Sequence, residues 1–229
     1  MSRLQENLAA VQAEIRAAAT AAGRDENAVK LLVVSKTMPL FLLEQLYDLG
    51  IREFGENRES ELEAKAEEMP DDVIWHFIGP VQSNKIRKIV RCAGVIHSVD
   101  SVEKLLKFDR IAKEEGKTPE IFLEVNVSGE ASKGGMTPDQ LPEAVRMALT
   151  CTAVKCCGLM TMAPLAAEKE ELLHIFNTLR TLRDRAEAEF SCSLPQLSMG
   201  MSGDFPEAIA CGATIVRVGS RIFAGVERE

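Results

Sequence analysis

The stretch "LLVVSKTMPLF" (residues 31–41) sets the reading of the whole chain. An apolar run that reads as a buried β-strand ends at Lys36, and Pro39 follows at a helix start. This is one strand-to-helix unit with a lysine at its junction. Lysine is rarely placed at the end of a core strand without a reason.

Outward from that unit the same pattern recurs. "IREFGEN" (51–57), "VIWHFIG" (73–79), "VIHSVD" (95–100), "IFLEVNV" (121–127), "AVKCCGLM" (153–160), "PQLSMG" (195–200) and "TIVRVGS" (214–220) read as further strands. Helical patterns separate them, including 38–50, 101–115 and 168–190, and a short helix covers 205–211 before Gly212. Asp100 with Glu103 suggests a capping box for the helix at 101–115. Thr137 and Pro138 read as the cap and first position of another helix. Ahead of the first strand, Leu4, Leu8, Val11 and Ile15 recur at helical spacing and Gly23 stops the run.

Eight strands alternating with helices imply parallel pairing through crossovers. The pattern predicts an α/β fold, a single (β/α)8 TIM barrel with an extra N-terminal helix, as one domain over residues 1–229. A dinucleotide-binding sheet is disfavoured, because no GxGxxG follows any strand.

The chain has 229 residues, 46 % of them hydrophobic, enough for a sizeable core. Its net charge of −8 argues against a nucleic-acid surface. A local positive pocket for a small anion remains compatible with that charge. The first 20 residues lack the uninterrupted apolar region of a signal peptide, and no run reaches the roughly 20 residues of a membrane span. Six cysteines without a CxxC pair and three scattered histidines show no zinc spacing. Reduced thiols in a cytoplasmic protein are the expectation.

In such barrels the chemistry sits at the C-terminal ends of the strands. Those ends carry Lys36, Glu56, Asn57, His76, Gly79, Ser98, Asp100, Asn126, Met160, Ser198 to Ser202, Arg217, Gly219 and Ser220. A lysine amine in a low-dielectric mouth has a lowered pKa and attacks carbonyls. A plain surface lysine is the alternative. "LSMGMSGDF" (197–205) and "IVRVGSRIF" (215–223) follow strands seven and eight, where barrels often bind phosphate. Their glycines let the backbone approach an anion, and Ser202 and Ser220 offer hydroxyls. Ordinary turn chemistry is the alternative. A lysine nucleophile facing a phosphate site suggests a phosphorylated aldehyde, either a sugar or pyridoxal phosphate.

Other candidates stay open on spacing alone. Arg217, inside an apolar strand, is either a ligand contact or half of a structural ion pair. Asn57 is either a site residue or a helix cap. His76, between Trp75 and Phe77, reads as a packed, hydrogen-bonded histidine before a catalytic one. Lys85, Arg87, Lys88 and Arg91 read as a solvated helix face. "SGEASKGG" (128–135), with Lys133, reads as a polar loop before a lid.

The motifs "VVSKT", "FGEN", "WHFIGPVQSNK", "HSVDS", "VNVSGEASKGG", "GLMTM" and "LSMGMSGDFPEAIACGATIVRVGS" occur in that order. Together they resemble the YggS/PROSC-type pyridoxal phosphate homeostasis proteins, single-domain relatives of the alanine racemase barrel. The resemblance implies that Lys36 carries pyridoxal 5′-phosphate as a Schiff base. It implies that Ser202, Gly219 and Ser220 hold the phosphate and that Arg217 faces the pyridine nitrogen. It also places Asn57 and Met199 near the ring or phosphate. Arg58 stands where the family usually has an aromatic residue, Ser220 replaces a common threonine, and Ala224 replaces a common glycine.

An arginine cannot give up its proton, so it favours an unprotonated ring nitrogen and a weak electron sink. Alanine racemases also use a tyrosine from a second domain. Here the only tyrosine, Tyr47, falls on the helix after the first strand, and the chain ends nine residues after Ser220. The expectation is a cytoplasmic, monomeric protein that stores and delivers pyridoxal phosphate. Possible recipients are apo-enzymes; nucleic acid and membrane are not expected partners, and no metal site is expected. A small amino-acid racemase is the alternative. A barrel aldolase using Lys36 on a sugar phosphate is a third.

Overall fold

Lys30–Val34 (β1) pairs in parallel with strands from both ends of the chain. On one side Val33 lies beside Phe54 of Glu53–Glu56 (β2), and on the other beside Val218 of Ile215–Val218 (β8). First and last strands therefore meet, and the sheet closes. The computed structural model describes residues 1–130 and 133–228. Ile74–Phe77 (β3), Val95–Val99 (β4), Glu120–Glu124 (β5), Lys155–Met160 (β6) and Gln196–Met201 (β7) complete the barrel in sequence order. This is the (β/α)8 architecture expected from the alternation.

The helices form the outer ring: Leu40–Asp48 (α2), Glu59–Glu68 (α3), Ile86–Cys92 (α4), Val102–Glu115 (α5), Leu141–Ala148 (α6), Lys169–Phe190 (α7) and Phe205–Ala210 (α8). Arg3–Ala21 (α1) precedes β1 as the extra helix. It buries Leu4, Leu8, Val11, Ile15 and Ala19 on one stripe. Asn7 pins it to the chain beyond β8, donating through Nδ2 to the Ile222 and Ala224 carbonyls at 3.0 and 2.8 Å.

The strands have two apolar faces because helices cover the outside and the barrel fills its own inside. Phe54, Trp75, Leu197 and Val216 belong to the layer between strands and helices. Leu32, Val95, Phe122, Cys157, Met160 and Ile215 fill the interior. The expected strands each run a residue or more beyond the observed ladders. Ser101, whose hydroxyl accepts from Lys104 N, caps α5 in place of the expected Asp100. Asp100 instead pairs with Lys104 at 2.6 Å. Thr137 and Gln140 form their capping box around a single 3-10 turn, and α6 begins after it. The basic residues of α4 face outward, with Lys88 on Glu63 of α3 and Arg91 on Glu115 of α5. The loop "SGEASKGG" includes Ala131 and Ser132, which lie outside the described residues. Asn126 organises its start, accepting from Ser128 and Gly129 and donating to the Glu130 carbonyl.

Candidate functional site

The register decides which strand ends meet at the mouth. Val33 lies beside Val218, so Lys36 leaves β1 next to the turn Gly219–Ser220. Arg217 lies beside Met201, which brings Ser202 and Gly203 alongside. Gly219 is required here: a Cβ would stand 2.6 Å from the Val34 carbonyl oxygen. Lys36, Ser202, Gly219 and Ser220 thus converge on one rim.

Lys36 is exposed and makes no hydrogen bond or ion pair among the described residues. The low-dielectric setting expected for it is absent, because β1 stops at Val34 and Lys36 lies two residues beyond the last rung. Thr37 follows at φ 62, an uncommon conformation for a β-branched residue, and turns the chain sharply after the lysine. Ser35, fully buried, braces this turn from below. Its hydroxyl donates to Glu56 Oε1 at 2.7 Å. Lys65 of α3 donates to the same oxygen at 2.8 Å and to the Ser35 carbonyl at 3.0 Å. Glu56 Oε2 is buried without a hydrogen-bond partner among the described residues.

The two loops beyond β7 and β8 present donors. Among the described residues, the backbone N–H groups of Ser202, Gly203, Ser220 and Arg221 meet no acceptor, and the Ser202 and Ser220 hydroxyls are equally free. Four open amides and two hydroxyls on adjacent turns suit an anion with several oxygens.

Beneath them Arg217 is 4 % exposed. It donates to Ser198 Oγ at 2.7 Å and to the Thr161 carbonyl at 3.0 Å. Burial lowers its pKa to about 10, against the pull of Asp204 and Glu124. Among the described residues it forms no ion pair, and its other N–H groups are uncommitted. A guanidinium with uncommitted N–H groups can donate to a further acceptor.

Across the mouth, Glu124 ends β5 under Gly134 and Gly135. Burial, with repulsion from Asp100, pushes its pKa up to about 7, despite Arg217 and Lys104. The sequence reading missed Glu124, since a glutamate at the end of an apolar strand carries no motif. It also missed Lys65, which looks like one more charge on a solvated helix.

Asn57 follows β2, and its carbonyl fills the space a Cβ on Gly79 would need, at 2.0 Å. Met199 is fully buried in the layer between barrel and helices, because Ser198 beside it takes the inward position. The structure does not bring the Met199 side chain to the mouth. His76, expected to be packed and hydrogen-bonded, is buried between His97 and Glu53. Tyr47 donates to Asp72 and stacks under Arg52.

The alanine racemase N-terminal domain profile matches residues 7–226. The chain belongs to this family. Among its relatives, the pyridoxal phosphate homeostasis protein of Aquifex aeolicus (strain VF5) is 41 % identical over 219 residues, covering 95 % of this chain and 96 % of the relative. PipY of Synechococcus elongatus PCC7942 has been solved with and without pyridoxal phosphate. The loaded structure is 36 % identical, with a TM-score of 0.86, covering 96 % of this chain and 100 % of its own. The form without the cofactor superposes with a TM-score of 0.88. In this chain Lys36, the open amides of the turns after β7 and β8, and the buried Arg217 stand at one rim.

Proposed function

We propose that the chain binds pyridoxal 5′-phosphate and serves in its homeostasis, storing the cofactor and delivering it to apo-enzymes. The supporting observation is the convergence of an unpaired lysine with four open amides and two free hydroxyls at adjoining strand ends. Lys36 would hold the aldehyde as a Schiff base, with water leaving. Ser202, Gly219 and Ser220 would hold the phosphate, and Gly203 adds an amide. Arg217 would offer a spare N–H to the ring nitrogen, and Asn57 would flank the ring. When bound, the cofactor supplies an electrophilic carbon and an electron-accepting ring.

The chain's own groups argue for carriage. Arg217 cannot release a proton to the ring nitrogen, which keeps the electron sink weak. Tyr47, the sole tyrosine, is committed to Asp72 on the α2 side and supplies no second base. We take residues 1–229 as one domain, acting as a monomer in the cytoplasm. Free thiols at all six cysteines fit a reducing compartment. No helix among the described residues is long and apolar enough to cross a membrane.

Glu124 favours a second reading, a racemase-like enzyme, because its carboxyl stands at the mouth able to take and give a proton near neutrality.

Borohydride reduction of the loaded protein, followed by peptide mass mapping, tests the attachment. The reduced cofactor should sit on Lys36 and vanish in Lys36→Ala. A label on another lysine in the unmutated protein refutes the assignment. Reactivation of an apo-enzyme by loaded protein supports delivery; exchange of an amino acid's α-hydrogen at useful turnover supports the racemase instead.

A further inference from the structure

Five hydrogen-bonded or ion-paired links run through the barrel interior from floor to mouth. Lys30 Nζ lies 2.8 Å from Glu53 Oε1. Glu53 Oε2 lies 3.0 Å from His76 Nε2, and His76 Nδ1 lies 2.9 Å from His97 Nε2. His97 Nδ1 lies 2.8 Å from Ser198 Oγ, which accepts from Arg217 at 2.7 Å. His97 and Ser198 are fully buried, and Phe122 stacks on the His97 ring at 4.5 Å. At the floor, a recess of about 90 Å³ lined by Lys30, Glu53, His76, Glu120 and Gln196 meets the outside.

With both imidazoles neutral, as burial holds them, the chemistry of the two ends sets the direction of every bond. A guanidinium only donates and a carboxylate only accepts. Arg217 therefore donates to Ser198, Ser198 to His97 Nδ1, His97 Nε2 to His76 Nδ1, and His76 Nε2 to Glu53. Each of these four links holds one proton, and both imidazoles are neutral with hydrogen on Nε2. The surrounding charges agree. Burial, outweighing Glu53, holds His76 below the ordinary histidine range; burial, with His76 and Arg217, holds His97 well below it. Burial pushes Glu53 up, but its bonds to His76 and Lys30 outweigh this and keep it ionised. Glu120 of β5 faces the floor and is paired with Lys155.

A proton added at His76 would break this order. His97 would have to donate through Nδ1, Ser198 would receive from two sides, and the serine proton would lose its acceptor. A cation would also stand between Lys30 and Arg217.

We propose that His76 and His97 are positioning residues that hold Arg217 through Ser198, anchored by the Glu53–Lys30 pair at the barrel floor. The geometry of the guanidinium at the mouth is thus set from the opposite end of the barrel. The consequence for cofactor affinity rests on the functional reading above; the order of the chain does not.

Nitrogen NMR on the full chain, without cofactor, tests the order directly. Two imidazoles should carry hydrogen on Nε2 and stay unmoved between about pH 6 and 8, with exposed His174 as reference. Arg217 should give separate, slowly exchanging Nη signals. Glu53→Gln, isosteric and remote from the mouth, should mix the His76 tautomers and broaden those signals, and so should His97→Phe. A pyridoxal phosphate titration should then show each variant weakened by roughly tenfold, the worth of one bond to a charged group. Hydrogen on Nδ1 of either histidine in the unmutated protein overturns the proposal. So do unmoved Arg217 signals and unchanged affinity in Glu53→Gln. Failure of the unmutated protein to bind pyridoxal phosphate would fell the functional reading alone, leaving the spectra to decide the chain.

Discussion

Replacing Glu124 by glutamine should stabilise the protein, by an amount that grows as pH rises from about 4.5 and levels off above about 7. The carboxyl is 5 % exposed and its pKa is raised from 4.5 to about 7, chiefly by burial and then by Asp100. The folded state therefore binds its proton more tightly than the unfolded chain does. Below the unfolded pKa both states are protonated and nothing is lost. Between 4.5 and about 7 the unfolded chain releases the proton first, and stability falls as pH rises. At about 1.36 kcal/mol per pKa unit, the loss reaches about 3 kcal/mol at pH 8. Glutamine matches the shape of the protonated group and cannot ionise. Glu124→Gln should thus exceed the unmutated protein by about 3 kcal/mol at pH 8, or about 6–12 °C in Tm. Near pH 4.5 the gap should shrink below about 0.5 kcal/mol. Urea denaturation of the two proteins in parallel across this range measures the difference. A gap that does not change with pH, or a variant less stable at pH 8, refutes the reasoning.

Two further substitutions probe the support of the rim. Lys65→Met leaves the fully buried Glu56 without its cation and should cost about 3–5 kcal/mol. Adding Glu56→Gln should recover much of that by denaturant titration, and a double variant no better than the single one would contradict the pairing. Gly219→Ala forces a Cβ to 2.6 Å from the Val34 oxygen and should cost about 1–3 kcal/mol. Gly203→Ala, whose Cβ meets nothing within 4 Å, should stay within about 0.5 kcal/mol. Equal melting shifts for the two glycine variants would show that the close approach of β8 to β1 is misjudged.

The barrel is legible in the sequence because each strand is apolar on both faces and each is followed by a helix with its own stop. Lys36, Ser202, Gly219 and Ser220 are legible because the strand-end rule needs only the order of elements. Register is not encoded so locally. His76 and His97 look unrelated until β3 and β4 align His76 with Val95 and turn both rings inward. Met199 and Ser198 are neighbours in a Gly/Ser-rich motif, yet alternation sends one to the helix layer and the other to Arg217. Glu124 and Lys65 acquire meaning only from burial, which depends on loops and helices far along the chain.

The exposed lysine has a kinetic consequence. Its amine stands in solvent at the rim, outside the packed interior, with a strained threonine immediately after it. On the attachment proposed above, exchange at that nitrogen would require no segment of the barrel to open. Its residence time would then follow from the chemistry of the bond and from the concentration of competing amines nearby. On the same proposal, a lysine on another protein could approach the cofactor's aldehyde carbon directly, so hand-off would be limited by encounter between two surfaces.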